Sequence, residues 1–98
     1  MTPSPPSSVT LEISGPLQRA DLPALFERTC ALLERSRPEL LRCVVCAVDA
    51  DAVAVDALAR LALAARRHGA RVLLSGASRE LRELIALMGL AEVLHSPV

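Results

Sequence analysis

Residues 43–61, CVVCAVDADAVAVDALARL, give the clearest indication of the fold. This stretch opens with six apolar residues, 43–48, a length typical of a β-strand. With no polar residue on either face, this run predicts a strand covered on both sides, as in parallel sheets. An acidic elbow at residues 49–52 follows, and a helix is expected to begin near Asp56. The carboxyl end of such a strand is where open α/β sheets usually bind their ligands.

Further strands and helices flank this stretch on both sides. Residues 9–14 alternate apolar and polar, which predicts a strand with one covered face. Residues 72–74 predict another strand, and residues 92–94 either a short last strand or a turn. Helical spacing of apolar residues predicts helices that begin near Leu22 and Ser78. The order β-α-β-α-β-α predicts an α/β fold with three helices and a mainly parallel sheet of about four strands.

Length and composition limit the classes of protein. The 98 residues suit one domain, expected at residues 9–95, and the Pro/Ser-rich residues 1–8 are expected to be a disordered tail. The net charge is zero and only 1% of residues are aromatic, unlike a nucleic-acid-binding face. No apolar run approaches the roughly 20 residues of a membrane span, and no signal-peptide pattern is visible. We therefore expect a soluble cytoplasmic protein.

The cysteines do not form a recognisable metal site. Cys43 and Cys46 have the spacing of half a zinc site, but residues three apart in a strand point to opposite faces. There is no second pair, and the third cysteine, Cys30, stands alone. Free cysteine is among the most buried residue types, so all three are expected in the core.

Other candidate catalytic groups are also weak. Asp49, Asp51 and Asp56 could bind Mg²⁺, but the chain has no Lys, which sites of that kind usually bring. The favoured interpretation is that Asp51 or Asp56 caps the helix and that the others are solvated. His68 and His95 have no nucleophile partner in the sequence, and residues 75–78 favour a helix cap over an anion site. We expect no enzyme activity, no cofactor and no bound metal.

Three stretches are similar to the STAS domain family, which is named for sulphate transporters and anti-sigma-factor antagonists. Residues 11–17, LEISGPL, with the following LPAL at 22–25, resemble the family's strand, turn and first helix. Residues 44–56 resemble its "V-x-x-D…V-x-x-(I/L)-D" segment. Residues 73–94 resemble its final strand, helix and ending. Together the three stretches span residues 9–94.

The resemblance implies a non-catalytic protein-interaction module of the anti-sigma-factor-antagonist kind, which binds a regulatory kinase, an anti-sigma factor or a similar partner. Two alternatives stay open: an accessory subunit of a transport system that binds an ATPase subunit, and a small-molecule or nucleotide sensor. The partner-binding residues are expected to be Asp49, Asp51, Val53, Val55, Asp56, Ala57 and Leu58, and the first five of these are expected to form an exposed rim at the carboxyl end of the central strand.

Two departures from the family pattern bear on regulation and assembly. The family's phosphorylatable Ser or Thr follows the Asp that opens the second helix, whereas Asp56 is followed here by Ala57 and Leu58. A switch by phosphorylation at this place is therefore not expected. The strand that often precedes the first one is also missing, which leaves residues 9–14 as an exposed edge through which two copies could pair.

Overall fold

The computed structural model describes residues 7–94 and alternates strands with helices. The elements are β1 (Ser8–Ser14), α1 (Leu22–Ser36), β2 (Leu40–Ala47), α2 (Ala52–Arg67), β3 (Arg71–Ser75) and α3 (Arg79–Leu87). A short 3-10 turn, Arg19–Asp21, precedes α1. The predicted α/β fold and its order are confirmed. The described chain holds three strands where about four were predicted, because residues 91–93 form a turn.

All three strands are parallel and lie in the order β1-β2-β3, so β2 is central as predicted. Leu11, Cys43 and Leu74 share one row across the sheet. Right-handed crossovers between strands taken in sequence order place both connecting helices on the same face. Burial agrees with this arrangement, since alternate strand residues enter the core: Leu11, Ile13, Leu41, Cys43, Val45, Val72 and Leu74.

The second face of β2 is open to solvent among the described residues, so the prediction of a strand covered on both sides is wrong. Arg42 and Cys46 are exposed and Val44 is half-buried. The apolar run at residues 43–48 shows only that neither face of the strand is strongly polar. Which face of the sheet the helices cover depends on the order of the strands. Cys43 and Cys46 do lie on opposite faces, but of the three cysteines predicted to be buried only Cys43 is, since Cys30 is half-buried and Cys46 is exposed.

The helices meet the sheet through small and branched side chains. The middle helix α2 buries seven residues, four of them alanines, which allow it to pack closely: Ala54, Val55, Ala57, Leu58, Leu61, Ala62 and Ala65. In α1 the buried Thr29 hydroxyl donates to the Leu25 carbonyl at 2.8 Å, so no polar group is left unsatisfied there. Gly69 follows α2 at φ 78° and Gly89 follows α3 at φ 74°, which confirms both as helix stops.

The ordered strand begins slightly earlier than the sequence indicated. The Ser7 carbonyl accepts hydrogen bonds from the N–H groups of Glu39 at 2.8 Å and Leu40 at 3.1 Å. Ser8 belongs to β1, so the predicted tail is too long at its C-terminal end. Residues 1–6 of that tail, and His95, lie outside the described residues. None of the described helices is long and apolar enough to cross a membrane.

Burial raises the pKa of the Cys43 thiol to about 12. The folded state therefore keeps this proton at a pH at which the unfolded chain, with an ordinary value of 9.0, has released it. Unfolded molecules then bind fewer protons, so the free energy of unfolding should fall as pH rises from about 9 towards 12, by up to about 1.4 kcal/mol per pH unit. The chain has no Lys or Tyr side chains to titrate in the same range.

Urea unfolding between pH 8 and 11 measures this loss, and Cys43→Val is the control because it removes the titrating group while keeping an apolar side chain. The variant should lose less stability over that range than the wild type. Equal losses in the two proteins would contradict the prediction.

Candidate functional site

The candidate site lies where β2 ends and α2 begins. The parallel strands bring their carboxyl ends to one edge of the sheet, so the loops after β1, β2 and β3 lie on the same side. Val48 turns back into the core, where its N–H donates to the Val45 carbonyl at 3.1 Å and its side chain is buried. The chain then comes out to solvent at Asp49, Ala50 and Asp51.

Asp51 is the residue that opens α2. Its backbone is extended, and its Oδ1 accepts a hydrogen bond from the Ala54 N–H at 2.8 Å. The Asp51 carbonyl also accepts from the Val55 N–H at 3.1 Å. The helix therefore begins at Ala52, and the prediction of a start near Asp56 is wrong. An aspartate followed by alanines is a favourable start, because the carboxylate satisfies a free N–H and alanine has the highest helix propensity.

We expect Asp51→Ala to lower the free energy of unfolding by about 1 kcal/mol, because the N–H of Ala54 loses its capping acceptor. Asp51→Ser is the matched control, since a serine hydroxyl can accept the same bond. Chemical denaturation of the two variants and the wild type measures the difference. If Ala and Ser cost the same, the cap does not contribute to stability.

Asp56 lies in the second turn of α2 and contacts two arginines. Its Oδ1 accepts from the Arg60 Nε at 3.3 Å, one helical turn later. Its Oδ2 lies 3.6 Å from Arg19 Nη1 in the 3-10 turn before α1, and has no hydrogen-bond partner among the described residues. These exposed ion pairs contribute at most about 1 kcal/mol each. They nevertheless link the β1–α1 connection to α2, so the charge of Asp56 is partly neutralised within the chain.

The structure separates the predicted partner-binding residues into two sets. Asp49 and Asp51 are exposed, and Val53 and Asp56 are partly exposed. The other three are fully buried in the core: Val55, Ala57 and Leu58. The expectation of an exposed rim is therefore wrong at Val55, because a helix that begins at Ala52 turns this residue towards the sheet. The same helix start buries Ala57 and Leu58.

The exposed surface that remains is a short one, which we call the elbow rim, residues 49–53. It includes Ala50 and Ala52, which are exposed but are not among the predicted partner-binding residues. They could have been found by taking Asp51 as the capping residue of α2, because its side chain accepts from the Ala54 N–H. The first residue of a helix determines which of its residues point outwards. The rim presents two carboxylates, two methyl groups and the half-buried Val53.

The other candidate catalytic groups do not converge on the elbow rim. Among the described residues, no group of three or more His, Cys, Asp or Glu is placed to hold a metal ion. His68 is at the opposite end of α2, with its ring Nδ1 2.9 Å from the Ala64 carbonyl. Ser78 caps α3, because its Oγ accepts from the Leu81 N–H at 3.1 Å. The favoured cap at residues 75–78 is thus confirmed.

Comparison with known proteins places this fold in a family. No curated protein matches the chain. Among solved structures, the chain is similar to the anti-sigma factor antagonist SpoIIAA in its unphosphorylated form, with a TM-score of 0.66 and 13% identity. The match covers 99% of this chain and 85% of that one, and at this identity it shows a shared fold. The profile of the STAS domain family matches residues 1–97. The chain therefore belongs to the STAS domain family.

Proposed function

We propose that the protein is a non-catalytic interaction module that acts as an anti-sigma-factor antagonist. Its partner is a regulatory kinase or anti-sigma factor in the cytoplasm, and the elbow rim is the contact surface. The observation that carries the proposal is the composition of that rim in a fold shared with SpoIIAA. It exposes carboxylates and small apolar groups at the carboxyl edge of the sheet.

The charge of the rim indicates what kind of surface would fit it. Asp49 has no side-chain hydrogen bond or ion pair among the described residues, and Asp51 uses one oxygen for the helix cap. Both carboxylates can therefore meet basic side chains of a partner. Val53 and the alanines beside it offer a small apolar area at the centre of such a contact, where burial contributes roughly 25 cal/mol per Å². A partner with arginines or lysines around an apolar patch would be complementary.

We further propose that binding is not controlled by phosphorylation at the elbow. Residues 49–60 contain no Ser, Thr or Tyr, so neither the residue after Asp51 nor the residue after Asp56 can accept a phosphate on a hydroxyl. Phosphorylation acts by adding about −1.5 to −2 charges, which would repel a partner at a helix N-terminus beside carboxylates. Without that step the protein is a constitutive binder, or its activity is set by its amount or by its partner.

Two other functions stay as alternatives. A STAS accessory subunit of a transport system would bind an ATPase subunit, and its binding would be tested in the same way. A small-molecule or nucleotide sensor would need a concave site for its ligand, whereas Asp49 and Ala50 of the elbow rim are exposed. The identity of the captured protein distinguishes the first alternative from the proposal.

The test is affinity capture from the native organism, followed by mass spectrometry. Wild type should retain a kinase-like anti-sigma factor. Asp49→Lys combined with Ala50→Lys should lose it, because the first change reverses a charge of the contact and the second adds a positive charge beside it. Glu34→Lys combined with Ala31→Lys is the matched control, since it makes the same change of charge at exposed positions on α1. The control should bind like wild type.

Three results would contradict the proposal. Retention of the partner by the elbow variant would show that the rim is not the contact. Capture of a transporter ATPase subunit would favour the alternative. Release of the partner on addition of ATP, with phosphate on this chain, would show that a phosphorylation switch operates through another residue.

A further inference from the structure

Strand β1 has a free edge that the proposed function does not use. It is the outer strand of the sheet, and nothing within residues 7–94 pairs with its far side. The Ser7 carbonyl accepts from Leu40 and the Gly15 N–H donates to the Ala47 carbonyl, so the odd-numbered residues direct their backbone groups towards β2. The N–H and C=O groups that point outwards belong to the even-numbered residues, Ser8, Thr10, Glu12 and Ser14, all exposed. Such an edge is a template for a further strand.

The space beside this edge is open. A groove of about 480 Å³ runs between β1 and the beginning of α1. Its strand side is formed by Glu12, Ile13 and Ser14. Its other side, formed by the β1–α1 connection and the beginning of α1, consists of two leucines, two alanines and two charged residues: Leu17, Ala20, Asp21, Ala24, Leu25 and Arg28. A free strand edge next to a helix-lined groove is the arrangement in which proteins bind an added strand.

The sequence of β1, Ser-Val-Thr-Leu-Glu-Ile-Ser, is nearly symmetric about Leu11. Reversal of the strand exchanges Ser8 with Ser14, Val9 with Ile13, and Thr10 with Glu12. We propose that β1 pairs antiparallel with β1 of a second copy, with a twofold axis at Leu11. The residues that direct their backbone groups outwards then face each other, which is the hydrogen-bonded pairing of an antiparallel ladder. Two three-stranded sheets become one sheet of six strands.

The side chains select this register over its neighbours. A shift by one residue places core-facing residues opposite solvent-facing ones. A shift by two in either direction pairs only five of the seven residues. In one direction it also places Glu12 opposite Glu12 of the second copy, and directly opposed like charges are destabilising. The register centred on Leu11 pairs all seven residues of β1 and places apolar residues opposite apolar residues.

Residues 1–6 are a poor alternative occupant of the edge. Three of them are proline, and proline has no N–H to donate to the ladder. The test below nevertheless includes this outcome.

Sedimentation equilibrium of the full chain measures the assembly. Wild type should form a species of twice the 10.4 kDa chain mass as concentration rises. Thr10→Glu places glutamate opposite Glu12 twice in the dimer and should raise the dissociation constant about tenfold. Adding Glu12→Lys to Thr10→Glu turns both contacts into opposite-charge pairs and should restore the dimer. Glu12→Lys alone creates no like-charge pair and should behave as wild type.

Both substituted side chains are exposed on the open face, so thermal unfolding should stay cooperative in every variant and show that lost pairing is not lost folding. Amide exchange gives a second measurement: the Thr10 and Glu12 N–H groups should be protected in the dimer and exchange faster in Thr10→Glu. A wild type that stays monomeric at about 1 mM would overturn the proposal. So would a Thr10→Glu dimer of unchanged affinity, a double variant that stays monomeric, or protection of both amides that persists in a monomer, which would indicate residues 1–6 as the occupant.

Discussion

Val45→Asp should unfold the domain. Val45 is fully buried in the second half of β2, the central strand, and it faces the helices. No charged side chain is buried within residues 7–94, so an aspartate would be a charge buried without a partner, or would have to take up a proton to stay in the core. Either costs several kcal/mol. A domain of this size has a total stability of roughly 5–15 kcal/mol.

Circular dichroism on heating measures the effect. We expect the variant to show little cooperative transition, while Arg42→Asp, which introduces the same residue three positions earlier on the exposed face of the same strand, should still unfold cooperatively. A Val45→Asp protein with the melting temperature of the wild type would contradict the position of β2 in the core.

Val55→Arg should also unfold the protein, although a reading of the sequence alone would place this residue on the surface. Val55 is in the first turn of α2 and fully buried, because the helix begins at Ala52. An arginine there must either bury its guanidinium or displace the helix start from the sheet. We expect a loss of several kcal/mol, comparable with the effect of other unpaired charges in a core.

Val53→Arg is the control that makes this result specific. It is the same substitution two residues earlier, at a half-buried position on the elbow rim. We expect it to change stability by about 1 kcal/mol or less, and it is therefore suitable for testing partner binding in a folded protein. Equal stability of the two variants in urea would show that Val55 is not packed in the core and that α2 begins later, near Asp56.

The candidate site could be located from the sequence, but its residues could not be assigned. The apolar run at 43–48 and the following acidic elbow indicated where the central strand ends. The residues alone do not determine whether Asp51 or Asp56 caps the helix, because both are acceptable capping residues. The alanines between them favour a helix without fixing its first residue. The hydrogen bond from Ala54 to Asp51 decides this, and with it the burial of Val55, Ala57 and Leu58.

The order of the elements and the places where the helices stop could be predicted from the residues alone, because they depend on local periodicity and on residues such as Gly69 and Gly89. The parallel direction of the strands followed from the alternation of strands and helices. Which face of the sheet is covered could not be predicted in this way. Arg42, Val44 and Cys46 are partly or fully exposed because strands in sequence order receive their helices on one side, and this follows from the crossovers and not from the strand's own residues. The free edge at β1 has the same origin, since an edge exists only once the neighbours of a strand are known.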